Sequence, residues 1–182
     1  MTTNQASLYK ELEKASKNAK KVIYSASHSI EKSVQELCDM GKNQVLEIIS
    51  KPGSGKQYTY SYGKHVASAE GQPPAARVGG PLYKSIVSVV TEKKTSGDKG
   101  RAVGHFGSTQ KYAIFLEYGW KRKNGATGAP RPFMRPTADF VRERTPGVVA
   151  RNWIAYRNAA IKKLPKSSNT GADAASYVGK MR

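Results

Sequence analysis

The stretch SLYKELEKASKNAKKVIYSASHSIEKSVQELCDMGKNQVLEII, residues 7–49, decides the fold. Leu8, Leu12, Ala15, Ala19, Val22, Ala26, Ile30, Leu37, Gly41, Val45 and Ile48 recur at steps of three and four, with Ser33 or Val34 bridging the gap after Ile30. The other face is Lys, Glu, Gln, Asn and Ser, and no proline interrupts the run. This spacing predicts one amphipathic helix over residues 1–50. The middle of its stripe is rich in Ala and Ser, so a neighbouring element can approach closely there. Unbroken from Ser7 to Ile49, the helix would be about 64 Å long at 1.5 Å per residue. A compact domain of this size is only on the order of 40 Å across. The helix is therefore expected either to bend near Gly41 or to project and pack against another chain.

Working outward, Lys51-Pro52-Gly53-Ser54-Gly55-Lys56 ends the helix in a turn. Tyr58, Tyr60 and Tyr62 alternate at period two and predict a strand with three tyrosines on one face. Glu70-Gly71-Gln72-Pro73-Pro74 reads as a rigid loop, and Pro81 to Ser85 as one helical turn with proline near its start. The β-branched run Ile86–Thr91 and the segment Arg101–Phe106 read as a hairpin about a polar turn over Thr95–Gly100. Tyr112–Tyr118 suits a short helix stopped by Gly119, followed by a basic, glycine-rich loop over Lys121–Pro130. Pro136 suits the first position of a helix running to about Arg144, with Thr145-Pro146 as a cap and restart. The second helix would present Val149, Trp153, Tyr156 and Ala160 on one face, beside Val148 and Ile161. The fold class expected is α+β: a long N-terminal amphipathic helix (1–50) on a small mixed or antiparallel sheet, with C-terminal helices, the body spanning 51–164. Residues 165–182 are Ser-, Asn-, Gly- and Ala-rich and read as a flexible basic tail.

Of the 182 residues, 38% are hydrophobic and 24% charged, enough for one domain with a core. The 31 Lys and Arg against 13 Asp and Glu give a net charge of +18. Residues 1–50 carry 7 basic and 6 acidic side chains, so nearly all the excess lies downstream; residues 119–166 alone carry 12 basic and 2 acidic. Such asymmetry suits an acidic partner: nucleic acid, an anionic membrane or an acidic protein surface. The single cysteine, Cys38, excludes an internal disulfide framework and a cysteine-rich zinc site. His28, His65 and His105 are too widely spaced for a local metal motif, and no cofactor is expected. No apolar run approaches the roughly 18 residues of a membrane span, and Met1–Gln5 lacks the pattern of a signal peptide. A cytoplasm-like compartment is the expectation.

Candidate chemistry is thin. Pro52–Gln57 lacks the first glycine and the Ser or Thr of a phosphate-binding P-loop and reads as a linker. Asp139 and Glu143, with Arg135 and Arg142 around them, read as surface ion pairs. His105 is expected to be packed or hydrogen-bonded, and Cys38 has no activating base nearby. Nothing assembles a nucleophile, base and oxyanion donors, so the expectation is not an enzyme. The three tyrosines, with Lys56 and Lys64, could stack bases or pack against a helix or subunit; packing suits tyrosine better. Lys121, Arg122 and Lys123 could contact DNA or an acidic partner, or form a solvated loop.

Four motifs occur in order: Ala67-Ser68-Ala69-Glu70-Gly71-Gln72-Pro73-Pro74, Gly80-Pro81-Leu82-Tyr83-Lys84-Ser85-Ile86, Tyr112-Ala113-Ile114-Phe115-Leu116-Glu117-Tyr118-Gly119 and Arg131-Pro132-Phe133-Met134-Arg135-Pro136. Over residues 60–163 the chain resembles the tail-completion, or head–tail joining, proteins of long-tailed bacteriophages, related to the lambdoid minor tail protein Z. The resemblance implies a structural virion protein at the head-proximal end of the tail, assembled in the host cytoplasm. It would form a ring of six copies between the tail terminator and tail tube on one side and the head-completion and portal rings on the other. Viral DNA in the channel is a further candidate contact, and no membrane is involved. The assembly candidates it implies are Pro73, Pro74, Leu82, Tyr112, Leu116, Glu117, Gly119, Arg131, Phe133, Arg135 and Pro136. Phe133 would be a buried anchor and Arg135 would pair with Glu117. The alternatives are a tail terminator or head-completion ring protein and, more distantly, a basic nucleic-acid-binding module.

Overall fold

The computed structural model describes residues 3–61, 63–96 and 99–164. The tail expected over 165–182 lies outside them. The fold is α+β. Its N-terminal half is a helical run in two pieces, α1 (Thr3–Ser27) and α2 (Ser29–Ser50). The interruption falls at His28, not Gly41. There the Ser27 hydroxyl bonds the Tyr24 carbonyl at 2.8 Å and His28 Nδ1 lies 2.9 Å from the same oxygen. Side-chain bonds to a carbonyl compete with the backbone ladder and favour a break.

Next come β1 (Gln57–Tyr60) and β2 (Gly63–Val66), one helical turn α3 (Pro81–Lys84), and the long hairpin β3 (Ile86–Ser96) and β4 (Lys99–Ser108). They are followed by α4 (Ala113–Tyr118), the minimal hairpin β5 (Trp120–Lys121) and β6 (Thr127–Gly128), and α5 (Met134–Lys162). Among the described residues the strands form three separate antiparallel pairs. The β3–β4 hairpin was legible in the sequence, but its strands run further than expected, with a bulge between Val90 and Glu92. The tyrosine strand is shorter: β1 holds Tyr58 and Tyr60 and ends there, and it pairs with β2 from Gly63. Tyr62 lies outside the described residues, and Tyr58 is exposed beside Lys56, whose Nζ is 5.7 Å from the ring centroid. His105 is exposed on β4 opposite Val89, not packed.

α2 is the spine. One side lies on the β3–β4 hairpin and another on α5. A Cβ on Gly41 would stand 2.7 Å from the Phe106 ring, and one on Gly104 would stand 2.5 Å from Cys38 Sγ. Helix and hairpin thus meet where a glycine on each makes room for the other's side chain, Gly41 for Phe106 and Gly104 for Cys38. Burial and the neighbouring Asp39 push the Cys38 thiol up, away from the reactive thiolate. The core joins Val45 and Ile49 of α2 to Leu82, Ile86, Ala113 and Phe133. Along the stripe Val22 is half-buried and Ala26 buried, whereas Leu12, Ala15 and Ala19 on α1 are exposed, as are Tyr9 and Ile23.

The C-terminal helices expected on either side of Thr145-Pro146 are one continuous helix. Pro146 removes an amide and frees the Arg142 carbonyl, but both residues are exposed, so water can take that bond. The buried face is also rotated from expectation. Val148, Asn152 and Ala160 are buried with Tyr156 partly covered, while Val149 and Trp153 are 40% and 42% exposed. The reason is polar pairing with α2. Asn152 Nδ2 donates to Glu36 Oε2 at 2.9 Å and to Ser33 Oγ at 3.3 Å, and Arg151 pairs with Glu36 Oε1.

On the other side of α2, the Ser88 hydroxyl donates to Asp39 at 2.6 Å. The bonds from Asn152 and Arg151 outweigh the opposing effect of burial and hold the Glu36 carboxyl below its ordinary value. Ser88, then Gln35, do the same for Asp39. A carboxyl lowered on folding stabilises the fold above its ordinary value, 4.5 for Glu36 and 3.8 for Asp39. That contribution is lost as pH falls through the lowered folded value. Thermal melts should therefore show a drop in stability between about pH 6 and about pH 3 that shrinks in the double variant Glu36→Gln/Asp39→Asn. An unchanged drop contradicts these bridges. In denaturant unfolding, Gly41→Ala should lose about 1–3 kcal/mol. Gly147→Ala, whose added methyl meets open space in α5, should gain about 0.5–1 kcal/mol.

Candidate functional site

The fourth motif is held by the end of the third. The Arg131 amide donates to the Leu116 carbonyl at 2.6 Å. Two residues on, the chain enters α5, and three successive amides turn onto the Glu117 carboxyl. Phe133 N and Met134 N donate to Oε2 at 2.8 and 2.9 Å, and Arg135 N donates to Oε1 at 3.0 Å. A helix leaves its first four amides without intrahelical partners. Here three are taken by Glu117, and the fourth position is Pro136, which has no amide hydrogen. Pro136 is thus the third residue of α5, not the first as its sequence context suggested. Glu117 is itself 6% exposed, and its position at the amino end of α5 also suits the helix dipole.

The expected side-chain pairing of Arg135 with Glu117 is not what forms. The backbone amide of Arg135 reaches the carboxyl, and its guanidinium lies 5.7 Å above the Tyr118 ring. Phe133 is fully buried beside Leu82, Ile86 and Ala113. Gly119 ends α4 with φ +77°, a conformation favouring glycine, and a Cβ there would stand 2.6 Å from the Gly128 carbonyl oxygen. This close approach seats the β5–β6 hairpin.

Lys121–Lys123 is not an open loop. The Arg122 amide donates to the Ala126 carbonyl at 2.8 Å and the Gly125 amide to the Arg122 carbonyl at 3.0 Å, tightening the hairpin around Gly125. Lys121, Arg122 and Lys123 are all exposed, and the Arg122 guanidinium stacks 5.0 Å above the Trp120 ring. Beside them α4 turns Ile114, Phe115 and Tyr118 outward. An apolar patch rimmed by cations is a surface suited to contact with another macromolecule.

All four motifs also meet at one groove of about 1000 Å³. Ala67, Ser68 and Pro74 come from the first, Gly80, Pro81 and Leu82 from the second, Tyr112 and Leu116 from the third, and Arg131 from the fourth. Pro73 is half-buried beside Pro74. Partial burial pushes the Tyr112 phenol up, so it stays a hydroxyl donor at neutral pH. The Pro52–Lys56 turn braces the groove from behind. The Gly55 amide donates to the Ala67 carbonyl at 2.8 Å, and a side chain on Gly53 would run into the Val66 carbonyl. Those glycines are committed to packing, in keeping with a linker. A second depression of about 710 Å³ between α1, α2, β3 and α5 carries charges of both signs, including Glu31, Lys32, Glu36 and Lys93.

Among the described residues no three His, Cys, Asp or Glu side chains cluster as metal ligands, and no helix is long and apolar enough to cross a membrane. The Arg142–Asp139 pair is an exposed surface ion pair at 2.6 Å. Sequence reasoning missed two residues: Asn152, and the role of Glu117 as a helix cap. Glu117 carried a signal, because it is the only acidic residue between Asp98 and Asp139 and stands in an otherwise apolar turn. No protein-family model, curated protein or solved structure matches the chain.

Glu117→Ala leaves three amides at the start of α5 without their acceptor and should cost about 2–4 kcal/mol in unfolding experiments. Glu117→Gln, which keeps one acceptor, should cost less. Equal stability of Glu117→Ala and the parent would show that the cap carries no weight.

Proposed function

We propose that the chain is a structural subunit of a bacteriophage neck, assembling as a ring that completes the tail and joins it to the head. The observation that carries this reading is the convergence of the four resembling motifs. Separated along residues 67–136, all four line one groove, the second to fourth share one core, and the third caps the helix that the fourth begins. Such convergence is what a shared fold with a shared docking face would require. Two further features support it. Leu12, Ala15 and Ala19 of the apolar stripe of α1 are uncovered, which suits packing against a neighbouring copy. The outward residues of α4 give each subunit a second apolar contact, and closure of a ring multiplies weak contacts.

The residues of the four motifs serve packing, capping and a groove, and the role proposed for them is structural and non-enzymatic. A nucleic-acid-binding role is a second reading, favoured by the exposed Lys121, Arg122 and Lys123 beside Trp120. A tail terminator or head-completion ring would use the same kind of surface.

Electron microscopy of particles made without this chain tests the neck role. The expected result is filled heads beside free, unjoined tails; normally joined particles would overturn it. For the purified chain, ring formation that persists as salt rises, with little affinity for duplex DNA, favours assembly. Salt-sensitive DNA binding that weakens when Lys121, Arg122 and Lys123 are neutralised favours the second reading.

A further inference from the structure

The groove between β2, the 67–80 segment, α3 and α4 has an unbalanced lining. Lys64, His65, Arg77 and Arg131 contribute to it, and among the described residues no carboxyl group does. The same lining holds apolar Pro74, Leu82 and Leu116, the first two buried and the third half-buried. A phosphate backbone would meet the cations and leave those apolar residues unused, whereas a peptide can match both.

Strand β2 supplies a third feature. Among the described residues it pairs only with β1. Gly63, Lys64 and His65 all line the groove although they are consecutive. Successive side chains of a strand point to opposite faces, so a groove touching three in a row runs along the strand's edge. A free edge can accept an added strand through backbone bonds.

Two buried polar atoms in the lining are without partners among the described residues: the Ser68 hydroxyl and Arg131 Nε. Ser68 is only 6% exposed.

We propose that this groove binds an extended acidic peptide segment of a partner protein. The segment lies along the open edge of β2 with its carboxylates toward Lys64 and Arg131 and an aliphatic side chain over Leu82 and Leu116. The inference deepens the docking role proposed above and rests on it for the partner's identity. Binding itself is measurable on the purified chain.

The test is selection of a random heptapeptide library on the full chain, followed by anisotropy titration of the enriched peptide carrying a fluorescent label. Enrichment of Asp and Glu together with an aliphatic residue is expected. Affinity should fall at least about ten-fold in Lys64→Glu and in Arg131→Met. Lys64 is exposed on a short strand, so its variant keeps the test sound if Arg131→Met fails to fold. Three results would each overturn the proposal: no acidic enrichment, equal binding by parent and Lys64→Glu, or displacement of the peptide by a duplex DNA oligonucleotide that itself depends on Lys64. The neck role fails separately, if particles lacking the chain are joined normally while the purified chain still binds the peptide.

Discussion

The start of α5 is held by a carboxyl from another helix. Glu117 collects the amides of Phe133, Met134 and Arg135, and Pro136 supplies none to collect. Much of the body depends on that junction. It sets where the 29-residue helix begins and points Phe133 into the core. It also holds Arg131, through its bond to Leu116, at the wall of the groove. A local Ser or Asp cap would satisfy only one of these amides and would not bind α4 to α5. Capping at a distance makes the helix start a tertiary contact, and a buried acceptor of several amides is costly to remove.

The second constraint is the close approach of α2 to the β3–β4 hairpin. Gly41 under Phe106 and Gly104 against Cys38 leave no room for larger side chains. With α2 in place, its other side takes α5 through Asn152, Ser33 and Glu36. That polar pairing explains why Trp153 and Val149 remain outside while an asparagine is buried. Burying Asn152 is tolerable because its amide hydrogens are matched.

The surface that follows is uneven. α1 extends beyond the core with Tyr9 and Leu12 uncovered, α4 shows Ile114, Phe115 and Tyr118, and β3 shows Val87 and Val89. Against a net charge of +18, these apolar patches give the chain places to associate, while its cations select for acidic neighbours.

Periodicity and punctuation were enough to read the helical run of residues 7–49, the β3–β4 hairpin, the turn at Pro81 and the stop at Gly119, because each rests on interactions within a few residues. The break at His28, the unbroken passage of α5 through Pro146 and the rotation of its buried face were not legible. The first two turn on where a few carbonyls find partners, in side chains three and four residues away at Tyr24 or in water at Arg142, which periodicity does not report; the third depends on Glu36, 116 residues from Asn152. The same holds for the candidate site. Its residues could be named from their motifs, but the reach of Glu117 to three amides and the meeting of four segments around one groove exist only once the chain has closed on itself. Local composition encodes propensity, whereas long-range hydrogen bonds and packing choose among the conformations that propensity allows.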